Sequence, residues 1–336
     1  MSERPAPQLT PLASGGGSAL SFAGSLIRLL TPFASLAVAA LFFRLLAPDQ
    51  PFRLIDAQIV STHTVIVGIA ALGMTLLIAA GGIDLSVGSA IALTTVCVAL
   101  VLKREWSLPI AILVALVSGV LCGLYNGLLV VGLRLPPFIA TLGTLGFFRG
   151  VAKWLSGSVP VTAPTAGLEN WVSPVPRDEW MVLSPGVWLT LVLGLLTAAV
   201  LHWTIFGRYA LAIGSNEATA RLCGIRVGRM KVWIYAVSGI FVGIAGLLQF
   251  GRITQGDPTV AIGLELDIIA AVVIGGASLT GGHGSVAGAL AGAALMAFLR
   301  NRCTILGWPN FVQEMIVGHI IILAVAIDQW RARARR

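Results

Sequence analysis

The sequence predicts an all-α integral membrane protein, and three observations carry that prediction. Of the 336 residues, 57% are hydrophobic and 11% are charged, with a mean hydropathy of +0.92, whereas a soluble domain keeps roughly 25% charged residues. The apolar runs are long, rich in Leu, Ala and Val, and lack the alternation of barrel strands, so helices are left to satisfy the backbone in lipid. Basic residues gather in short clusters between the runs, at Arg208 to Lys231 and Arg331 to Arg336. Cytoplasmic loops of membrane proteins carry this bias.

Taken in order, residues 1–25 are rich in Pro, Ser and Gly and read as a disordered cytoplasmic tail. The polar lead is too long for a cleaved signal peptide. A single transmembrane domain follows over 26–330. Helices of about 20 residues cross a core of ~30 Å. About ten such spans fit at 29–48, 60–80, 84–102, 109–132, 137–152, 187–206, 232–250, 265–281, 285–300 and 311–329. Residues 331–336 form a basic cytoplasmic tail.

Loop charges set the orientation. The 208–231 segment carries Arg208, Arg221, Arg226, Arg229 and Lys231 against Glu217, which places it in the cytoplasm. The 153–186 segment carries Lys153 and Arg177 against Glu169, Asp178 and Glu179, and Trp154, Trp171 and Trp180 suit an outer interface. Ten spans then put both termini in the cytoplasm of a bacterial inner membrane, with membrane lipid as the surrounding partner. Arg300 and Arg302 fall near the outer face, where snorkelling is the available account.

Several function classes drop out. The net charge of +8 invites nucleic-acid binding, but that needs a continuous basic face on a soluble fold, and no nucleic-acid partner is expected. Cys97, Cys122, Cys223 and Cys303 are scattered without ligand spacing, so neither a disulfide framework nor a metal site is expected. None of the lysines (Lys103, Lys153, Lys231) follows a glycine, so the phosphate cradle of an ATPase is missing. Protease and hydrolase motifs are missing too. No catalytic residue and no cofactor is assigned to this chain.

Three stretches carry the chemistry. The first is Gly73-Met74-Thr75 followed by Gly81-Gly82-Ile83-Asp84-Leu85-Ser86-Val87-Gly88-Ser89. A carboxylate amid apolar residues is expensive and so marks a candidate functional site. The glycines let the chain break and turn. Asp84 then either caps the next helix or, with Ser86, lines a solute path or gate at a helix break. The two readings are compatible. The second stretch, Gly275-Gly276-Ala277-Ser278-Leu279-Thr280-Gly281-Gly282-His283-Gly284-Ser285, is a similar break that suggests a duplicated hairpin, with His283 as a turn residue. The third runs from Gly207 to Ile225. Ser215 or Asn216 can cap a short helix that ends near Leu222 or Cys223, with Gly224 stopping it. Such a helix suits either docking into a partner's groove or an ordinary basic loop.

These residues also carry a resemblance. Gly73-Met74-Thr75, Gly82-Ile83-Asp84-Leu85-Ser86-Val87-Gly88, Asn216-Glu217-Ala218 with Arg221 and Gly224-Ile225, and Glu265-Leu266-Asp267 with Ile274-Gly275-Gly276 through Gly281-Gly282 are similar to the ribose/galactofuranose-type sugar ABC permeases. These belong to the branched-chain amino acid/sugar permease superfamily. The match runs in order from about residue 60 to 329. The resemblance implies a fold distantly similar to the vitamin B12 importer permease. It implies two permeases per complex (a second copy or a paralogue), a cytoplasmic ABC ATPase that holds ATP and Mg, and a periplasmic sugar-binding protein. It makes 208–231 the coupling loop, with Asn216, Glu217, Ala218, Arg221 and Gly224 as its carriers and Gly81, Gly82, Gly281 and Gly282 as helix-break glycines.

A neutral sugar wants small, hydrogen-bonding groups, so Asp84, Ser86, Asn126, Thr141, Thr144 and Gln249 are the solute-path candidates. Asn126 can equally bridge two helices. The alternative to an ATP-driven permease is an ion-coupled secondary transporter with Asp84 (or Glu265, Asp267 or Glu314) as the coupling carboxylate.

Overall fold

The structure, a computed structural model, describes residues 33–177 and 181–333. The expected N-terminal tail, the start of the first span, Asp178 to Trp180 and the last three residues of the basic tail lie outside these. Twelve α-helices are present among the described residues. α1 (Phe33–Leu46), α2 (Leu54–Ala79), α3 (Val87–Lys103), α4 (Leu108–Gly132), α5 (Pro137–Ser156) and α6 (Pro185–Trp203) come first. α7 (Ile205–Ser215), α8 (Glu217–Leu222), α9 (Val227–Ile253), α10 (Leu264–Ile274), α11 (Val286–Ile305) and α12 (Asn310–Arg333) follow. Among the described residues the remaining regular structure is one two-residue antiparallel ladder, β1 (Val161–Thr162) with β2 (Gln255–Gly256), and a 3₁₀ turn at Leu168–Trp171. α2, α4, α6 and α9 are long and apolar enough to cross a membrane by length and composition.

α2 is the buried axis, with Val65 to Ala79 inaccessible almost throughout, packed between α9, α10 and α11. α4 and α9 form the closest pair because glycines line both: Gly119, Gly123 and Gly127 face Tyr235, Gly239 and Gly243. A Cβ on Gly119 would lie 2.2 Å from the carbonyl oxygen of Gly239. Small residues let membrane helices approach this closely.

The first glycine break is a hairpin turn rather than an interruption within a span. α2 has 26 residues, or ~39 Å at 1.5 Å each, long enough for a full crossing before the break. It ends in a Schellman motif: Gly82 N donates to Leu77 O (2.8 Å) and Gly81 N to Ile78 O (2.9 Å), with Gly81 at φ +75°. Glycine favours this left-handed position. α10 ends in the same motif, with Ala277 N to Val272 O (3.1 Å), Gly276 N to Val273 O (2.9 Å) and Gly276 at φ +93°. The two breaks thus start alike, as the repeated glycines suggest.

The eighth expected span, 265–281, differs in form. α10 has only 11 residues, ~16 Å of helix, and the preceding segment 256–263 is irregular. Two arginines placed near the outer face are held by protein rather than snorkelling. Arg300 grips Asp267 through Nε (2.8 Å) and Nη2 (2.7 Å). Arg302 lies 3.6 Å from Asp56 and sits over the rings of Phe52 and Phe298 at 4.8 and 5.7 Å. Asp267 is 1% exposed, so Arg300→Ala would strand a buried carboxylate. Breaking a fully buried pair costs about 3–5 kcal/mol. Because the Arg300 side chain is 38% exposed, a loss at or below the bottom of that range is expected, read as a lowered Tm of the purified protein.

Candidate solute gate and coupling segment

Asp84 sits in the turn between α2 and α3, 5% exposed, and is the centre of a hydrogen-bond network. Its Oδ1 accepts from Ser86 N (2.8 Å) and Ser86 Oγ (2.6 Å). Asn126 on α4 donates through Nδ2 to Asp84 Oδ2 (3.1 Å) and Ser86 Oγ (2.8 Å). Thr144 on α5 donates to Asn126 Oδ1 (2.6 Å). Tyr235 on α9 donates to Ile83 O (3.1 Å), and Thr141 packs beside the same carbonyl while bonded to Pro137 O (2.9 Å). The turn is thereby tied to α4, α5 and α9. Ser86, rather than Asp84, occupies the N-cap position of α3, and the carboxylate reaches it from two residues back.

Five of the six solute-path candidates therefore meet in one place, each with less than a tenth of its surface exposed. Gln249 does not join them. It lies 14 residues beyond Tyr235 on α9, ~21 Å along the helix. Asn126 does bridge helices, as one of its two readings required.

The second break meets the first. Gly282 N donates to Ala79 O, the last residue of α2, at 2.9 Å. The end of α7 is wedged against both: a Cβ on Gly214 would lie 2.0 Å from Ala79 O and 2.6 Å from Gly282 N, and one on Gly281 would lie 2.6 Å from Gly214 O. Main chain touches main chain at three segments, and only glycine at 214 permits it. His283 lies in this turn.

The 208–231 loop is helical for much of its length. α7 extends the helical region to Ser215, and its presence follows from a cap that sequence reading missed: Thr204 Oγ1 accepts from Gly207 N at 3.2 Å. Asn216 caps α8, accepting from Thr219 N at 2.9 Å. Gly224 follows the helix at φ +82°. Ala220 turns inward with Ile213 and Val227. Glu217 pairs with Arg221 on its own helix and with Lys231 Nζ (2.6 Å) at the start of α9. Lys231, then Arg221, hold the Glu217 carboxyl below its ordinary value of 4.5. The tie is therefore complete above that pH and is lost only as acid passes through the depressed value. Glu217 is spent inside the chain.

The outward surface of α8 is instead Ala218, Thr219, Arg221 and Leu222, and Leu222 is 89% exposed. An apolar side chain projecting from a basic loop is a signal that the sequence did contain, at Arg221-Leu222-Cys223. It was readable there only as the end of a helix.

Comparison with known proteins decides the family. The family described as branched-chain amino acid transport system, permease component, matches residues 57–325. The chain belongs to this family. It is 38% identical over 269 residues to the ribose import permease of Escherichia coli, covering 79% of this chain and 83% of that one. The ribose import permease of Bacillus subtilis is 35% identical over 303 residues, covering 89% of this chain and 92% of the relative. The autoinducer 2 import system permease of Salmonella typhi is 34% identical over 301 residues, covering 89% and 85%. No solved structure matches the chain. The family and the apolar helices make this a multi-pass inner-membrane transport subunit, not an enzyme.

Proposed function

We propose that this chain is the membrane permease of a binding-protein-dependent ABC importer for a monosaccharide of the ribose, xylose or galactofuranose type. The likeness to the ribose import permeases over most of both chains carries the reading. Setting aside α7 and α8 as cytoplasmic leaves ten helices for ten spans, with both termini inside and a bundle akin to the vitamin B12 importer permease. The partners are a cytoplasmic ATPase that supplies ATP hydrolysis, a periplasmic sugar-binding protein and a second permease.

In this reading α8 receives the ATPase stroke, and Asn216, Glu217, Ala218, Arg221 and Gly224 shape it. Motion of α7 passes through Gly214 to Ala79 and Gly282, and so to both glycine turns. The network of Asp84, Ser86, Asn126, Thr141 and Thr144 holds the first turn as a gate. Gln249 belongs to another part of the path. Gly214→Ala places a methyl against two backbones, and coupling between sites typically spans 5–150-fold. Sugar uptake is expected to fall by about tenfold or more while the ATPase still co-purifies.

Reconstitution tests the whole reading. The chain in liposomes should accumulate ribose only when ATPase, binding protein and ATP are all supplied. Accumulation driven by a proton gradient with no ATPase present would replace it with the ion-coupled alternative.

A further inference from the structure

The irregular segment between β2 and α10 packs along α3, one of the helices expected from the sequence to span the membrane. At its start, a Cβ on Gly256 would meet Ala99 Cβ at 2.5 Å and Thr95 O at 2.8 Å; five residues on, Ala261 O lies 2.4 Å from where a Cβ on Gly88 would be. The segment thus runs down α3 from the level of Thr95–Ala99 to that of Gly88, ~13 Å along the helix. α3 runs from Val87 to Lys103, so this descent covers its N-terminal half, from the middle of the helix to its first turn. Thr254 and Ala261 adopt positive φ (57° and 62°), which confirms that the backbone is not a frayed helix.

Such backbone cannot face hydrocarbon, where unsatisfied peptide groups cost several kcal/mol; it survives only inside protein or beside water. Yet Thr259 is exposed and Ile262 is 73% exposed, so this side of the segment is not covered by its own subunit. Arg149 on α5 reaches across to it, donating from Nη1 to Pro258 O (2.8 Å) and Val260 O (2.7 Å). Two carbonyls left over by the irregular fold are satisfied this way. The guanidinium is only half-buried, and its Nε–H and Nη2 hydrogens have no hydrogen-bond partner among the described residues. Charged groups within the membrane face a bundle interior or a watery cavity. Asp257 accepts from Thr259 N and Oγ1 (2.7 Å each), so the turn presents a hydroxyl fixed beside unused guanidinium donors.

We propose that the face formed by residues 257–263 and Arg149 borders the aqueous path of the solute, where Arg149 and Thr259 offer hydrogen bonds to a neutral, hydroxyl-rich molecule. The solute class rests on the importer reading, whereas the position of the path does not.

Cysteine accessibility in proteoliposomes of the full complex separates the two. Cys223, the exposed cysteine, is first replaced by Ser. Thr259→Cys and Ile262→Cys are then compared with Leu195→Cys, which is equally exposed at 73% but lies on the apolar surface of α6. A membrane-impermeant thiol reagent should modify positions 259 and 262 at least about tenfold faster than 195, because only a thiol in contact with water forms the reactive thiolate. Equal, slow modification at all three sites would overturn the proposal, whether lipid or a dry partner interface covers the face. Thr259→Val then tests the hydrogen bond: loss of one bond predicts a rise of about fivefold in the KM for ribose with ATP turnover retained. An unchanged KM removes Thr259 from solute contact. Because labelling needs no transport, failure of the wild-type complex to take up ribose would count against the importer reading and not against the face.

Discussion

Asp84→Ala is expected to lower the stability of the protein by about 2–4 kcal/mol, since each buried donor left without an acceptor costs roughly 1–3 kcal/mol. Three donors converge on this carboxylate: Ser86 N, Ser86 Oγ and Asn126 Nδ2. The Ser86 hydroxyl can rotate towards another acceptor, which keeps the total below the sum. Asp84→Asn is milder. It keeps an acceptor for Ser86 but turns an amide NH₂ towards the NH₂ of Asn126, so about 1–2 kcal/mol is expected from one mismatched pair.

Exchanging the two residues, Asp84→Asn with Asn126→Asp, restores one donor and one acceptor across the same gap and leaves Thr144 an oxygen to donate to. Thermal unfolding of the three variants and ribose uptake by each complex check the account. A structural tie predicts that the exchange recovers both stability and uptake. A charge needed at position 84 for gating predicts recovered stability with uptake still lost. An Asp84→Ala protein as stable as the wild type would contradict the network itself.

The contrast with the sequence lies in what a linear pattern can carry. Gly81 and Gly276 stood out because their conformation requires glycine, and both turn out to close the same terminal motif. Asn216 stood out because capping is local, between a side chain and the amide three residues on. The four helices long and apolar enough to cross a membrane stood out by hydropathy for the same reason. Partners distant in sequence were not legible. Nothing in the neighbourhood of Arg300 announces Asp267, 33 positions away, and although the sequence grouped Asp84, Asn126 and Thr144 as small polar candidates, it did not show the hydrogen bonds that join them.

The segment 256–263 was hidden differently. Its residues Pro258, Val260, Ala261 and Ile262 are apolar enough to blend into a span, while the positive φ at Thr254 and Ala261 occurs at residues that do not advertise it. At Glu217 the sequence shows a charge on a loop but not its two cations, Arg221 and Lys231, the second of them 14 residues away.

Leu222→Asp should give the largest loss of partner binding. Leu222 is 89% exposed at the end of α8, and nearby Arg226 and Arg229 have no carboxylate partner among the described residues, while Arg221 shares the single Glu217 carboxylate with Lys231. The surface therefore offers one apolar anchor in a basic ring and fits an apolar pocket with an acidic rim. Truncating or charging an interface anchor costs about 2 kcal/mol or more, or roughly 30-fold in affinity at 1.4 kcal/mol per tenfold. Arg221→Glu should weaken capture of the ATPase without unfolding the loop, since the Arg221 side chain is 65% exposed and Lys231 still holds Glu217. Glu217→Lys acts by another route: it sets a third cation against Arg221 and Lys231 and detaches α8 from α9, so both capture and coupling should fail. Combining Glu217→Lys with Lys231→Glu restores the tie between α8 and α9 and should recover capture, which a direct contact of Glu217 with the ATPase would not allow. Co-purification of the ATPase with each variant, followed by ATP turnover stimulated by loaded binding protein, measures these effects. Wild-type capture by both Leu222→Asp and Arg221→Glu would move the docking site off α8. The turn 279–284 would be next in line, because its Gly282 already packs against Ser215.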